Sequence, residues 1–281
     1  MYKITEARRY NPSVKRLTVE APLAARRAKP GQFVMLRATE TGERIPLTIA
    51  DADRAAGTVT VIFQEVGKST KLLGALEAGD TLSDLAGPLG TPSHLDGVKR
   101  ACVIGGGLGC AIAYPQAKAL HTQGAHVDMI AGFRSQELIF MEADMAAASD
   151  SLTVCTDDGS NGRKGLVTEV LKGYLDEGRT YDMIIAIGPL VMMKFVTLTA
   201  KPYGVPVVVS LNPIMVDGTG MCGGCRVTVG GQVKFACVDG PDFDGYQVDF
   251  DEAMRRNRMY TDHEARALEA HVCKLEGQAD V

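Results

Sequence analysis

The sequence predicts an α/β plus β fold in which an antiparallel β-barrel is followed by a parallel sheet and a small cysteine-containing module. Three changes of pattern support this prediction. Before residue 98, short strand-type segments alternate with turn residues, as in small barrels. From residue 98, apolar strands alternate with helical segments, as in nucleotide-binding domains. From residue 206, glycine and cysteine become frequent, which indicates a loop-rich module.

These changes, together with a tail rich in charged residues from Phe250 onward, divide the chain into four predicted parts. They are a barrel at 1–97, an α/β domain at 98–205, a cysteine-containing module at 206–249 and a helical tail at 250–281. The barrel strands are expected in VKRLTVEAP, PGQFVMLRA, GTVTVIFQEVG and AGDTLSDLAGPLG. The parallel strands are expected in ACVIGGGLG, AHVDMIAGF, SLTVCTDDG and YDMIIAIGP, with helices between them.

The predicted tail has one apolar helical face. Its apolar residues recur at spacings of three and four, and they are Ala265, Leu268, Val272 and Leu275. Such a face either packs on its own domain or docks onto a partner protein, and the spacing alone is compatible with both.

Composition excludes several classes of protein. Of the 281 residues, 46% are hydrophobic and 23% are charged, which is typical of folded globular proteins. The 30 Lys and Arg against 34 Asp and Glu give a net charge of −4, without the basic excess that nucleic-acid binding requires. The longest apolar run, 183–193, is too short to cross a bilayer. We therefore expect a cytoplasmic protein without nucleic-acid or membrane partners.

Three of the seven cysteines lie close together in the glycine-rich segment. Cys222 and Cys225 are separated by two residues, and Cys237 follows after eleven more. Thiolates with this spacing on a tight turn bind one metal centre together. Plant-type iron–sulfur sites have a further cysteine before the pair, separated from it by four residues, and Asp217 occupies that position here. These four residues are predicted to bind an iron–sulfur cluster, and a structural zinc site is the alternative.

A glycine-rich turn predicts dinucleotide binding in the second domain. Gly105-Gly106-Gly107-Leu108-Gly109 follows a predicted strand and precedes a predicted helix, where the backbone approaches a pyrophosphate closely. The motif is incomplete because Cys110 occupies the last glycine position. Arg134, after the next strand, either meets a phosphate of the nucleotide or is an ordinary surface residue. The choice between NAD and NADP stays open on this evidence.

Two segments of the barrel domain have features of a phosphate or flavin site. Gly67-Lys68-Ser69 is not the end of a Walker A loop, because Ile62 occupies the position of the required first glycine. Its amides and hydroxyls at a helix start either bind a diphosphate or only cap the helix. The segment 44–48, Arg-Ile-Pro-Leu-Thr, is a turn that places an arginine and a hydroxyl beside rigid backbone.

Taken in order, the barrel, GPLG at 87–90, GGGLG at 105–109, AIGP at 186–189 and the cysteine loop resemble the ferredoxin-NADP reductase superfamily. The resemblance covers nearly the whole chain. Within the superfamily, two kinds of electron-transfer subunit are similar, both with FAD and a 2Fe-2S cluster. One belongs to dihydroorotate dehydrogenase and has four cysteine ligands. The other is the small subunit of the sulfide dehydrogenase-like NADH-dependent reduced ferredoxin:NADP oxidoreductase. It resembles this chain more closely through the Asp-x4-Cys-x2-Cys-x11-Cys pattern.

The resemblance implies FAD on the barrel and NAD at the parallel sheet. The flavin contacts it predicts are Arg44, Pro46, Leu47, Thr48, Phe63, Gln64, Gly67, Ser69 and Thr70. The predicted nucleotide contacts are Gly105, Gly106, Gly107, Leu108, Gly109, Arg134, Asp157, Asp158, Gly188, Pro189 and Met192. The chain departs from the superfamily pattern at three points. Leu47 replaces an aromatic residue, Arg44 lies one residue early, and Ile187 replaces the cysteine of a Cys-Gly-Pro motif.

The function implied by the resemblance is electron transfer. No side chain of the protein is expected to act as a catalytic acid, base or nucleophile. Hydride passes between NAD(H) and FAD, and the cluster relays single electrons to a larger NADPH-binding flavoprotein subunit with 4Fe-4S clusters. In that family, the larger subunit's flavin bifurcates electrons between NAD and ferredoxin. Two alternatives are an electron-transfer subunit of dihydroorotate dehydrogenase and a zinc-stabilised nucleotide-binding or assembly module without redox activity.

Overall fold

The structure, a computed structural model, describes the backbone of residues 1–279 and the side chains of residues 1–270. The barrel predicted for the N-terminal part is confirmed as a seven-stranded antiparallel sheet. Its strands are β1 (Tyr2–Asn11), β2 (Val14–Glu20), β3 (Phe33–Arg37), β4 (Ile45–Asp53), β5 (Thr58–Gln64), β6 (Thr81–Leu82) and β7 (Asp84–Leu89). They are ordered β6-β1-β2-β5-β4-β3-β7. The connecting helices are α1 (Pro22–Arg27) and α2 (Lys68–Gly74).

A buried lysine anchors α2 to the barrel. Lys15 on β2 is only 1% exposed, and its ammonium group donates hydrogen bonds to Gly74 O at 2.9 Å and Leu76 O at 2.7 Å. It also forms an ion pair with Glu77 at 2.6 Å. A buried charge is tolerated only when it is paired and hydrogen-bonded, and all three donors of this amine are used. The C-terminal end of α2 is therefore fixed.

The predicted parallel sheet is also confirmed. It contains β8 (Arg100–Gly106), β9 (His126–Phe133), β10 (Ser151–Thr156), β11 (Met183–Ile187) and β12 (Val207–Ser210). Helices α3 (Gly109–Thr122), α4 (Glu142–Ala147), α5 (Val167–Asp176) and α6 (Leu190–Ala200) connect them, with short 3-10 turns at Gln136–Leu138 and Lys201–Tyr203. The order β10-β9-β8-β11-β12 reverses direction between β8 and β11. In open α/β sheets, nucleotides bind at this reversal.

The C-terminal module adds a hairpin of β13 (Arg226–Val229) and β14 (Gln232–Phe235) and a short strand, β15 (Asp242–Asp244). Strand β15 pairs antiparallel with β12, which itself pairs with β11. The sheet therefore continues past residue 205, where the sequence predicts the α/β domain to end. The reason is that β12, just before the cysteine loop, and β15, after it, both extend the sheet.

The predicted tail forms two helices, α7 (Phe250–Asn257) and α8 (Thr261–Ala279). Phe250 and Met254 of α7 pack against the core of the α/β and C-terminal modules, and α8 contacts α2 of the barrel domain. Two of the four positions in the predicted apolar face, Val272 and Leu275, lie outside the described side chains. Among the described residues, no helix combines the length and the apolar character needed to cross a membrane.

A buried polar cluster lies where the three modules meet. Asp242 Oδ2 accepts hydrogen bonds from Ser93 Oγ at 2.6 Å and Gln116 Nε2 at 3.1 Å. Asp242 as a residue is partly exposed, but its Oδ1 atom and Gln116 Oε1 are buried and receive no hydrogen bond from the protein. Burial raises the pKa of Asp242 above its ordinary value of 3.8, against the opposing effects of Ser93, Ser210, Gln116 and His94.

We expect Asp242→Asn to stabilise the protein at neutral pH. A carboxyl with a raised folded-state pKa contributes stability below its ordinary pKa of 3.8 and loses it as pH rises through the folded value. An amide of the same shape has no charge to bury and adds a donor, which we expect to raise the free energy of unfolding by about 1 kcal/mol at neutral pH. Denaturant unfolding across a pH series measures this gain, which should shrink in acid. Asp244→Asn, on the exposed end of β15, is the control, and an equal gain in both variants would contradict the prediction.

Candidate functional site

The cysteine loop between β12 and β13 is shaped by glycines. Gly218 and Gly220 have φ angles of +86° and +88°, and Gly223 has +64°, a region that side chains disfavour. A Cβ at Gly218 would lie 2.6 Å from Cγ of Met35 on β3. The loop therefore packs directly against the barrel, and the glycine at 218 is required by this close approach.

Within this loop, two of the predicted ligands form a buried pair. Cys225 and Cys237 are 1% and 2% exposed, and their sulfur atoms are 3.2 Å apart. Burial, followed by the hydrogen bond with Cys225, raises the pKa of Cys237 to about 12. A buried thiol of this kind becomes a thiolate when a cation is bound beside it. The geometry of the pair therefore suits joint ligation of one metal atom.

The other two predicted ligands lie on the more exposed side of the loop. Asp217 Oδ2 accepts hydrogen bonds from the Thr219 amide at 2.9 Å and the Met221 amide at 3.3 Å. Cys222 is exposed, and its sulfur accepts a hydrogen bond from Gly224 N–H at 3.4 Å. This hydrogen bond lowers the pKa of the Cys222 thiol. Turn amides thus fix the orientation of both side chains.

The arrangement is compatible with a cluster of two irons. A 2Fe-2S cluster takes two protein ligands on each iron, whereas structural zinc needs four donors around one point. Within the side chains of residues 1–270, no three His, Cys, Asp or Glu groups converge on one point. One close thiol pair with two further ligand candidates at the exposed side of the same loop is the pattern that two irons require.

Apolar side chains surround the exposed part of the loop. Met221 is 88% exposed, Val216 is 62% exposed, and Val238 beside Cys237 is 49% exposed. Exposed apolar side chains grouped around a functional site are typical of a surface that meets another protein. We call these three residues the apolar rim.

The predicted flavin contacts on β4 form a partly exposed apolar surface in the middle of the barrel sheet. Strand β4 has a neighbour on each side, yet residues 45–48 are all only half-buried. An apolar strand segment left open in this way suits a flat ring. Phe63 does not contribute a side chain there, because it is completely buried in the barrel core. Gln64, at the end of β5, is half-buried.

The predicted diphosphate loop is held by its own side chains. Gly67 precedes α2 with extended backbone, and Thr70 Oγ1 accepts hydrogen bonds from Val66 and Gly67 amides, both at 3.0 Å. Ser69 Oγ donates to Glu43 Oε2 at 2.8 Å. Both hydroxyls are thus engaged within the protein. Glu43, distant in sequence, carries no signal that predicts this contact.

Arg44 connects the flavin surface with the cysteine loop. Its guanidinium forms an ion pair with Asp84 on β7. The pKa of Asp217 is lowered chiefly by its hydrogen bonds from Thr219, and the positive charge of Arg44 adds a smaller effect in the same direction. No sequence pattern identifies Asp84, since only the pairing of distant strands brings it to this place. The charge of Arg44 therefore acts on both Asp84 of the barrel and the candidate ligand Asp217.

The predicted nucleotide residues come together at the reversal of strand order. A Cβ at Gly109 would lie 2.2 Å from the carbonyl oxygen of Ile187, at the end of β11. A Cβ at Gly106 would lie 2.4 Å from Met192 Sδ and 3.3 Å from Pro189 Cδ. The glycines thus permit contact between the turn after β8 and the segment after β11. The backbone of both segments forms the crevice in which dinucleotides bind in such folds.

Three other residues predicted to contact the nucleotide lie farther along the carboxyl edge of the parallel sheet. Arg134 follows β9, whereas Asp157 and Asp158 follow β10, and all three are exposed. The Asp157 amide donates to Phe133 O at 3.0 Å, and Asp158 Oδ1 accepts from the Ser160 amide at 2.9 Å. The structure places them at the carboxyl ends of neighbouring strands, away from the Gly109–Ile187 contact.

Known proteins resemble the chain in sequence and structure. The family model for the iron–sulfur cluster binding domain of dihydroorotate dehydrogenase B matches residues 212–249. The dihydroorotate dehydrogenase B (NAD(+)) electron transfer subunit homolog of Thermotoga maritima is 46% identical over 262 residues, which cover 93% of this chain and 92% of the relative.

Solved structures are also similar to the chain in fold, among them the following two. A chain of the NADH-dependent reduced ferredoxin-NADP oxidoreductase, studied for flavin-based electron bifurcation, superposes with a TM-score of 0.91 at 44% identity, covering 97% of this chain and 98% of that one. A ferredoxin NADP+ reductase from Neisseria gonorrhoeae has a TM-score of 0.57 at 18% identity, covering 72% of this chain and 90% of its own, and shows the shared fold alone.

These findings agree with the barrel, the parallel sheet and the cysteine loop described above. They confirm the predicted ferredoxin-NADP reductase-like architecture with a C-terminal iron–sulfur cluster binding domain. The chain belongs to the family of dihydroorotate dehydrogenase B electron transfer subunits and their homologues, and it is an electron-transfer subunit of an oxidoreductase.

Proposed function

We propose that this subunit exchanges hydride with NAD(H) through FAD and passes single electrons through a 2Fe-2S cluster to a larger flavoprotein subunit. The overall reaction is that of an electron-bifurcating, NADH-dependent ferredoxin:NADP oxidoreductase. The observation that carries the proposal is the packing of the cysteine loop on β3 of the barrel through Gly218 and Met35. This contact brings the candidate cluster site next to the candidate flavin surface.

The proposed cofactors supply the redox chemistry. A flavin exchanges two electrons with a nicotinamide and one at a time with a cluster. The chain supplies binding and orientation: Asp217, Cys222, Cys225 and Cys237 hold the cluster. The half-buried segment 45–48 carries the flavin ring. No side-chain acid or base is needed for this hydride transfer.

The remaining proposed contacts bind the nucleotide parts of the cofactors. Backbone groups of the turn at 67–70, with Arg44 and Gln64, face FAD, and Phe63 contributes only its backbone because its side chain is buried. The turn at 105–109 and the segment 188–192 hold NAD across the strand-order reversal. Arg134, Asp157 and Asp158 face the distal part of the nucleotide.

The proposed partner binds over the apolar rim. Electrons leave the cluster most directly through the exposed side of the loop, where Cys222 and the rim lie. A larger NADPH-binding flavoprotein subunit with 4Fe-4S clusters, which delivers electrons to ferredoxin, fits this position. Asp217 in the first ligand position supports this partner, because the dihydroorotate dehydrogenase subunits are expected to use four cysteines.

The second candidate function is electron transfer to a dihydroorotate dehydrogenase catalytic chain. The observation in its favour is the 46% identity to a relative whose name carries that activity. The structural similarity of 44% identity and TM-score 0.91 favours the first function. Both functions require the same cofactors, and they differ in the protein that receives the electrons.

Anaerobic purification from the native cell tests both candidates. We expect co-purification of a large flavoprotein with NADPH-dependent ferredoxin reduction, about two irons per FAD in this subunit once it is separated from that partner, and loss of flavin absorbance on addition of NADH. A dihydroorotate dehydrogenase catalytic chain as the co-purifying protein would replace the first function with the second. A colourless protein that contains zinc and no flavin would contradict both.

A further inference from the structure

Helix α7 follows the cysteine module and folds back onto it. Its N-terminus is capped by Asp249, whose Oδ1 accepts a hydrogen bond from the Glu252 amide at 2.8 Å. Phe250 and Ala253, both 6% exposed, fix the buried face of the helix. Because residues three apart lie on the same side of a helix, Arg256 follows Ala253 on the side that faces the module.

Arg256 reaches the turn between the two candidate ligands Cys222 and Cys225. Its Nη2 atom donates a hydrogen bond to the carbonyl oxygen of Gly224 at 3.3 Å. The amide of Gly224 donates in turn to Cys222 Sγ at 3.4 Å. The carbonyl oxygen of Gly224 is thus bound by Arg256, and its amide is bound by the sulfur of Cys222. The side chain of Arg256 therefore helps to set the direction in which Gly224 N–H points.

Asn257, the next residue on α7, also binds the helix to the cysteine loop. Asn257 Nδ2 donates to the carbonyl oxygen of Asn212, at the beginning of the loop, at 3.5 Å. The Asp249 amide donates to Thr228 O on β13 at 2.9 Å. Helix α7 thus holds the cysteine loop at its start and at its central turn, while Asp249 ties the start of the helix to the strand that follows the loop.

The charge of Arg256 has an electrostatic consequence for the cluster. A guanidinium stays protonated at all physiological pH values. Arg256 takes part in none of the ion pairs among the described side chains. Net charge and hydrogen bonds around a cluster set its reduction potential. Since reduction adds one negative charge, a nearby cation stabilises the reduced form and raises the potential.

We propose that Arg256 is a positioning residue for the cluster, which orients the Cys222–Cys225 turn through Gly224 and raises the reduction potential of the cluster through its charge. The inference rests on the proposed function, because it requires that the loop hold a 2Fe-2S cluster. It assigns the C-terminal helix a role in setting the energy of the electron that the subunit passes on.

An EPR-monitored redox titration of the full-length, cofactor-loaded protein tests this inference. Arg256→Gln removes the charge, and Arg256→Lys keeps it without the planar guanidinium. Arg255→Gln is the matched control, because it removes one positive charge from the adjacent, exposed position of the same helix. We expect a lower midpoint potential in Arg256→Gln and a smaller decrease in Arg256→Lys. Both variants should have an altered EPR line shape, and Arg255→Gln should match the wild type.

The outcomes separate this inference from the proposed function. A wild-type protein without a 2Fe-2S signal would remove the proposed function itself. A wild-type signal with equal potentials in Arg256→Gln and Arg255→Gln would overturn the inference alone. If Arg256→Gln loses its iron while flavin content and unfolding temperature stay at wild-type values, the positioning role is supported. An unchanged EPR line shape in Arg256→Lys would contradict the proposal that the guanidinium group orients the turn.

Discussion

Cys237→Ser is expected to remove the iron–sulfur cluster and to leave reduction of the flavin by NADH intact. Cys237 Sγ is 3.2 Å from Cys225 Sγ in a buried site, so its loss leaves one iron with a single protein sulfur. Serine is a poor replacement because a hydroxyl at neutral pH is not an anionic, soft donor. We expect iron affinity to fall by more than about 100-fold, measured as iron content and EPR signal after anaerobic purification.

Hydride transfer provides the internal comparison for this variant. NADH should still bleach the flavin, since the 105–109 turn and the 45–48 surface belong to other segments of the chain. Transfer to one-electron acceptors should be almost abolished. Val238→Ser, at the adjacent exposed position, is the matched control and should keep its iron. Full iron content in Cys237→Ser would show that Cys237 is not a ligand.

Asp217→Cys extends the same experiment to the first ligand position, where the chain has a carboxylate instead of a thiol. Because Asp217 lies where plant-type sites have cysteine, the variant should keep its iron and change its visible and EPR spectra. A thiolate donates more electron density than a carboxylate, and ligand type is one of the terms that set the potential. Unchanged spectra and potential would count against ligation by Asp217.

The extent to which the sequence predicts this site depends on how far apart the interacting residues lie in the chain. The candidate ligands follow from spacing within one loop, and the glycine turn after β8 follows from a strand-to-helix pattern. The contacts that cross the molecule have no such signal. Asp84 meets Arg44 across the barrel sheet, and Arg256 meets Gly224 across 32 positions. Such pairs are set by strand register and helix packing, which the fold alone determines.

Two differences between expectation and structure have the same origin. A period-two pattern predicts strand β5 but does not say which side of the sheet Phe63 faces, since that depends on pairing with β2 and β4. The short strand β15 has too few residues for any periodicity, so no pattern predicts its addition to the parallel sheet. In both cases the missing information is the partner strand.

Gly109→Ala is expected to disrupt the nucleotide-binding crevice. The new Cβ would lie 2.2 Å from the carbonyl oxygen of Ile187, 2.7 Å from its carbonyl carbon and 2.8 Å from Cα of Gly188. All three atoms belong to the backbone, so no side-chain rotation relieves the clash, and the turn after β8 must move away from β11. We expect a destabilisation of about 3 kcal/mol, together with a large loss of NADH-dependent flavin reduction. Denaturant unfolding and stopped-flow measurements of flavin reduction test these two effects.

The sign of the change in the free energy of unfolding shows whether the steric clash at Gly109 or the helix propensity of alanine dominates. Gly109 is the first residue of α3, and in a helix interior alanine is favoured over glycine by about 1 kcal/mol. Gly173→Ala in α5 is therefore the matched control, because a Cβ at Gly173 would meet no neighbouring atom within 4 Å and the substitution should be neutral or stabilising. Opposite signs for the same substitution would locate the effect in the contact between Gly109 and Ile187. A stabilised Gly109→Ala with unchanged flavin reduction by NADH would instead show that the two segments need not touch for the nucleotide to bind.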